Sequence, residues 1–146
     1  MFSTFLLAFD GTREGREALR EAATLAQRLS AKVHLVSVVD LKPVELMEDT
    51  RLADRVIGDE TAEVRRAIEE GVAELRNAGL EVEATLSQDV NTAHDIAALA
   101  REIGADLIVL GHRDQSVLAR LWNGSVGQQL IAHAPCSVLV AVAPAA

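Results

Sequence analysis

Gly111 and the pair Gly124-Ser125 have residue types and spacing suited to phosphate binding. Gly111 ends the apolar run Leu107-Ile108-Val109-Leu110, and Gly124-Ser125 comes thirteen residues later at the start of a short expected helix. First-turn N–H groups of a helix have no partner within it, the helix dipole favours an anion there, and glycine lets a phosphate approach the backbone. The Ser125 hydroxyl adds a donor; the same hydroxyl also suits a plain N-cap. Val126 follows in the same first turn, and His112 and Arg113 follow Gly111 directly. His112 can approach a phosphate and reads equally as an exposed loop histidine. Asp10-Gly11 ends the first apolar run, where an aspartate serves a ligand or the turn itself.

Other chemistries find less support. Nothing in the sequence pairs His112 or His133 with a nucleophile. Slow ATP hydrolysis needs a residue to orient water, and only Asp10, Asp40 and His112 offer themselves, in no constellation. Phosphotransfer of the receiver type wants adjacent carboxylates after the first strand and a late lysine, but the chain has Asp10-Gly11 and no lysine after Lys42. The G-x-G-x-x-G fingerprint of dinucleotide oxidoreductases is absent after the first strand. The single cysteine, Cys136, excludes an intramolecular disulfide and a multi-cysteine metal site, and reads as a small buried hydrophobe. Trp122 is a lid over the site, a hydrophobic plug or a dimer contact. No metal site is expected.

These residues need elements to position them. Phe5 to Phe9 is a short apolar strand. Ala18, Leu19, Ala22, Leu25, Ala26 and Leu29 recur at helical intervals, with Thr12 as the N-cap. Val33 to Val39 is a second strand, and Leu41 to about Asp49 reads as a loop containing Pro43. A long charged helix follows, with Gly58 as a point where it splits and Gly79 as its end. Its surface pairs include Arg66–Glu70 at i,i+4. Leu80 to Leu86 alternates as a third strand. Thr92 and Asp95 begin a helix that Gly104 closes, Leu107 to Leu110 is the fourth strand, and a loop runs from Gly111 to Gly124. A short helix around Val126 to Ala132 precedes a last strand, Ser137 to Val142, and His133 is expected to meet the last carbonyls of that helix. Strands alternating with helices, and strands that are apolar throughout, imply a parallel sheet covered on both faces. The expectation is one domain over residues 1–146: a doubly wound, five-stranded, Rossmann-like α/β fold. Ligands of such sheets bind beyond the carboxyl ends of the strands, so the strand-ending residues Asp10, Val39-Asp40, Ser87 to Asp89 and Gly111-His112-Arg113 matter most.

The chain has 146 residues, with 14 Lys+Arg against 22 Asp+Glu and a formal net charge of −8. That charge argues against duplex nucleic acid or an anionic membrane as the main partner. A hydrophobic fraction of 49% rules out intrinsic disorder. No apolar run reaches the roughly 18 residues that span a membrane. With no basic leader ahead of Phe5, the expectation is a cytoplasmic chain without membrane insertion.

The stretch from Asp106 to Val140 resembles the C-terminal signature of the universal stress protein family, whose ATP-binding members carry G-x2-G-x9-G-[ST]. Gly111 fits the first glycine and Gly124-Ser125 the final pair. His133-Ala134-Pro135-Cys136 with Val138-Leu139-Val140 resembles the family ending, and Asp10-Gly11-Thr12 and Asp106-Leu107-Ile108-Val109 fit their places, so the resemblance spans essentially the whole chain. It implies the fold also seen in adenine nucleotide alpha-hydrolases, and a homodimeric sensor or regulator that binds ATP or another adenine nucleotide, with or without Mg²⁺, and is read by a regulatory protein. By position, Asp10 would face ribose or phosphates, Val39 would offer backbone contacts to adenine, and Gly111, Gly124 and Ser125 would hold ribose and phosphates, with His112, Arg113 and Val126 beside them. The last strand, Ser137 to Val142, would pair across the dimer. Two positions depart from the pattern: Asp114 replaces the second glycine, and Gly127 stands where a hydroxyl residue is usual. A carboxylate at ~5 Å from a phosphate costs roughly 3 kcal/mol at an effective dielectric of ~20. Arg113, Arg120 or Mg²⁺ offsets it, or Asp114 serves the turn and points away. The alternative reading is a nucleotide-independent interaction protein of the same fold.

Overall fold

The computed structural model describes residues 1–9, 13–89, 92–112 and 130–142. Five strands, β1 (Thr4–Ala8), β2 (Lys32–Asp40), β3 (Val82–Asp89), β4 (Leu107–His112) and β5 (Ser137–Val142), form one sheet in the order β3-β2-β1-β4-β5. Every neighbouring pair is parallel. The helices are α1 (Arg13–Leu29), the short α2 (Lys42–Glu45), α3 (Thr50–Asn77) and α4 (Thr92–Ile103). Residues 130–133 are also helical.

Alternation along the strands divides the core into two layers. Phe5, Leu7, Phe9, Val33 and Leu35 pack against α1 and α3, while Leu6, Ala8, Val36, Ile108 and Leu110 pack against α4 and Leu130. Helices therefore cover both faces, as the continuous apolar strands require. Strand order reverses between β1 and β4, which places the switch point at their carboxyl ends.

The same turn feeds β2, β3 and β4. After α1, α3 and α4 the chain passes through a left-handed residue: Ser30 (φ 54°), Gly79 (φ 81°) and Gly104 (φ 68°). In each turn the next N–H closes on the carbonyl five residues back, Ala31 to Ala26 (2.9 Å), Leu80 to Leu75 (3.2 Å) and Ala105 to Ala100 (2.9 Å). This is the Schellman pattern that satisfies the last helical carbonyls. Gly79 and Gly104 close their helices as the sequence indicates.

Four local expectations change. Gly58 does not split α3, which runs unbroken for 28 residues, because one exposed glycine costs a helix only ~1 kcal/mol. The Leu41–Asp49 loop contains α2, whose Pro43 sits at the helix start, where a missing N–H costs nothing. The third strand is shifted: Leu80 belongs to the turn, and pairing continues through the polar residues Ser87, Gln88 and Asp89 opposite Val38, Val39 and Asp40. Glu70 pairs with Arg16 of α1 at 2.7 Å rather than along its own helix, and Glu74 pairs with Arg20 at 2.9 Å. Thr12, expected as the first N-cap, lies outside the described residues.

Candidate functional site

The carboxyl ends of β2, β1 and β4 lie side by side. Val39 is the penultimate residue of β2, buried, and opposite Gln88 of β3. Gly111 and His112 end β4, opposite Ala141 and Val142 of β5. One strand, β1, separates Val39 from Gly111, which at ~4.8 Å per strand step puts their backbones roughly 10 Å apart. The structure thus brings Val39, Gly111 and His112 to one edge of the sheet. The remaining candidates, Asp10, Arg113, Gly124, Ser125 and Val126, lie outside the described residues, as do Asp114, Arg120, Trp122 and Gly127.

A residue that the sequence reading passed over lies in the floor of this edge. Ser37 is the one buried polar residue among those described. Its hydroxyl donates to the Phe9 carbonyl, while the Phe9 N–H donates to the Val36 carbonyl at 2.8 Å. Both backbone groups of Phe9 are therefore held by β2, one rung past the end of the β1 ladder at Ala8–Val36. The available signal was a lone serine inside the β-branched run Val33-His34-Leu35-Val36-Ser37-Val38-Val39. A polar side chain on a strand with both faces covered needs a partner.

On the other side of Phe9, α3 comes close. A Cβ added to Gly71 would lie 3.0 Å from Leu35 Cδ2, 3.1 Å from Leu19 Cδ1 and 3.3 Å from Phe9 Cε1. Farther along α3, Thr61 Oγ1 accepts from Gln88 Nε2 at 3.0 Å, next to the end of β3. Leu46, just after α2, and Leu52, in the first turn of α3, are exposed.

The opposite, amino-terminal end of the sheet has its own polar cluster. Thr4, Lys32, Val33, His34, Glu81, Glu83 and Ile103 line a hollow of about 240 Å³. His34 Nε2 lies 2.7 Å from Thr85 Oγ1, and Nδ1 lies 3.7 Å from Glu83. Burial pulls the His34 pKa below 6.5, against the opposing pull of Glu83 and Glu102. A second hollow of about 430 Å³ runs along α1 and α3, lined by Arg16, Glu60, Glu63, Val64, Arg66, Ala67 and Glu70. The first of these is at the end opposite the carboxyl edge where a sheet of this topology takes its ligand.

Two other singled-out residues settle into structural surroundings. Cys136 is half-buried beside the α4-side core, and burial pushes its thiol pKa up, so the thiol stays protonated as expected of a packed hydrophobe. At residue 133 it is Arg101 that donates, its Nη2 reaching the His133 carbonyl at 2.7 Å. The histidine side chain is exposed. Among the described residues no group of three or more His, Cys, Asp or Glu is placed to hold a metal ion. None of their helices is long and apolar enough to cross a membrane.

This geometry is shared with known proteins. The chain is 30% identical over 141 residues to a protein of Staphylococcus epidermidis named as a universal stress protein, covering 95% of this chain and 83% of the relative. A crystal structure from the universal stress protein family of Burkholderia pseudomallei is 30% identical and superposes with a TM-score of 0.75, covering 97% of each chain. The universal stress protein of Archaeoglobus fulgidus in complex with dAMP has the same fold, with a TM-score of 0.67 at 23% identity, covering 95% of this chain and 97% of its own. The sequence profile of the universal stress protein family matches residues 1–141, and the chain belongs to that family.

Proposed function

We propose that this protein is an adenine-nucleotide-binding module, a homodimeric sensor or regulator of the stress response, with its ligand across the carboxyl ends of β2, β1 and β4. The observation that carries this reading is Gly111 at the end of β4, next to β1 at the reversal of strand order, with Gly124-Ser125 thirteen residues onward. Charge gives the ligand a direction. Asp40 and Asp89 are paired in the backbone register at the ends of β2 and β3, so that side of the sheet ends in two acidic residues. The β4 side leads into His112-Arg113 and the glycine-serine pair. The base therefore lies toward β2, against the Val39 backbone, and the phosphates toward β4. Asp10 takes ribose or phosphate, and Gly111, His112, Arg113, Gly124, Ser125 and Val126 hold the rest, with Mg²⁺ where a triphosphate is bound. A related family structure holding dAMP supports an adenine nucleotide as the ligand class.

The test is release of nucleotide from freshly purified protein, followed by Mg-ATP titration calorimetry. ATP, ADP or AMP near one per chain, or micromolar binding, is the expected result. Gly124→Val then weakens binding at least about tenfold, because a side chain blocks the approach of phosphate to the backbone. An empty protein that ignores millimolar ATP refutes the proposal.

A second reading has its own support in Asp114 and Gly127, which depart from the pattern of ATP-binding members. It makes the chain a nucleotide-independent interaction protein. Asp114→Gly separates the two: a degraded site regains affinity by a large factor, whereas an intact site with Asp114 turned outward barely changes.

A further inference from the structure

We infer that Ser37 is a positioning residue for the proposed nucleotide site, acting through the peptide that leaves β1. The inference rests on the nucleotide reading above. Fixing a carbonyl fixes the plane of its peptide and so the direction in which the chain proceeds. The Phe9 carbonyl belongs to the peptide that joins Phe9 to Asp10, and its hydrogen-bond donor is the Ser37 hydroxyl.

The arrangement is built for placement. The regular β1–β2 register ends at Ala8 opposite Val36, and at the next position a side chain, not a strand amide, reaches across. Ser37 sits two residues before Val39 on the same face of β2, so one short stretch of strand holds both the proposed adenine contact and the pin on β1. The Phe9 ring is gripped from the helix side beside Gly71, and the Phe9 N–H is bonded to Val36. With three of its groups fixed, Phe9 leaves the chain one exit direction. Removing the hydroxyl frees the last of the three while the strand and the ring stay packed.

Three variants isolate the hydroxyl from the space it fills: Ser37→Ala, and the isosteric pair Ser37→Thr and Ser37→Val. Each is titrated with Mg-ATP and with AMP by calorimetry, well below its own melting temperature. Ile68→Val, a core truncation that removes one methylene from α3 and no hydrogen bond, serves as the stability control. Loss of one hydrogen bond that orients the peptide weakens binding about tenfold in the alanine and valine variants. The threonine variant stays within about threefold of wild type, and Ile68→Val lowers the melting temperature without changing affinity.

Equal affinities for wild type, alanine and valine overturn the role of Ser37 while leaving the nucleotide reading intact. So does an equal loss in threonine and valine, which would make the effect one of space. A loss of affinity in Ile68→Val to match the alanine variant also overturns it, because the cause would then be general destabilisation. A wild-type protein that binds neither nucleotide overturns both.

Discussion

Gly71 and Gly58 are glycines of one helix with opposite expected responses to the same change. A helix interior favours alanine over glycine by ~1 kcal/mol. At Gly58 an added Cβ meets nothing within 4 Å, so Gly58→Ala stabilises the protein by roughly 0.5–1 kcal/mol. At Gly71 the same methyl presses on three buried side chains at once, Leu35, Leu19 and Phe9. Overpacking of that kind costs roughly 1–3 kcal/mol and outweighs the propensity gain. Urea unfolding midpoints measure both, and a Gly71→Ala midpoint above wild type would mean the core there is slack. Asp106 gives a pH-dependent expectation. Its carboxylate accepts from the Ser3 N–H at 2.8 Å, the Ser3 hydroxyl at 3.0 Å and the Thr4 N–H at 3.0 Å. Desolvation pushes this carboxyl up, but the hydrogen bonds from Ser3 and Thr4 outweigh it and hold the pKa below the ordinary 3.8. A depressed carboxylate stabilises the fold above the unfolded-chain value, and the contribution is lost as pH falls through the folded value. Asp106→Asn therefore costs roughly a few tenths of a kcal/mol at pH 7, because solvent screens this partly exposed carboxylate, and its deficit against wild type shrinks in acid. Unfolding curves between neutral pH and about pH 3 follow that gap; a gap constant with pH would assign the loss to shape and not to charge. The two cases differ in how readable they were. Asp106 was legible only as part of the family-like run Asp106-Leu107-Ile108-Val109, whereas the close approach at Gly71 exists only once α3 lies on the sheet.

At the scale of elements, the strand cores and the helix ends were legible because each carries a local signal. Apolar β-branched runs gave β2 and β4, and Gly79 and Gly104 gave two of the three left-handed exits. Ser30 makes the same exit after α1 without the glycine that would have announced it. What escaped the reading was set by neighbours. Ser87 to Asp89 read as the residues that follow the third strand, but β2 continues beside them and they pair with it, and Glu70 and Glu74 look like solvated helix charges until Arg16 and Arg20 of α1 face them. Val39 lies at the end of its strand as its β-branched run indicates, whereas Gly111 and His112, read as the start of a loop, continue β4 because β5 pairs beside them. The start of α3 offers an element-scale test. Asp49 caps it, accepting from the Arg51 N–H at 3.1 Å and the Leu52 N–H at 3.2 Å. The buried contacts of α3, at Ile68, Gly71 and Leu75, are all in its second half. Loss of the cap therefore acts locally. Asp49→Ala lowers the local stability of the first turns by about 1 kcal/mol and leaves the global unfolding midpoint nearly unchanged. Amide hydrogen exchange should speed up over residues 51–60 and not in the second half of α3. Equal acceleration along the whole helix would show that α3 opens as one unit.

The sheet has two outer strands, β3 and β5, and they differ in chemistry. β3, at one edge, carries Glu83 within it and Glu81 just before it, both exposed, and charge on an edge strand discourages pairing with another sheet. β5, at the other, reads Ser137-Val138-Leu139-Val140-Ala141-Val142 without a charge, and Leu139 is exposed on it with Ile131 nearby in sequence. An uncharged, apolar edge is a template for another strand. A two-fold axis joins two copies of the same edge as an antiparallel pair in a closed dimer, with no free β5 edge left over. The contrast between the edges supports the proposed homodimer through Ser137–Val142, which the family resemblance also implies. Light scattering after size exclusion should give about twice the chain mass of 15.6 kDa at micromolar protein. Leu139→Lys places two like charges at the joined edges, and the particle should fall to the monomer mass while its far-ultraviolet circular dichroism stays that of the folded chain. Glu83→Lys, on the other edge, leaves the dimer intact. A Leu139→Lys protein that remains dimeric, or a Glu83→Lys protein that dissociates, would move the interface away from β5.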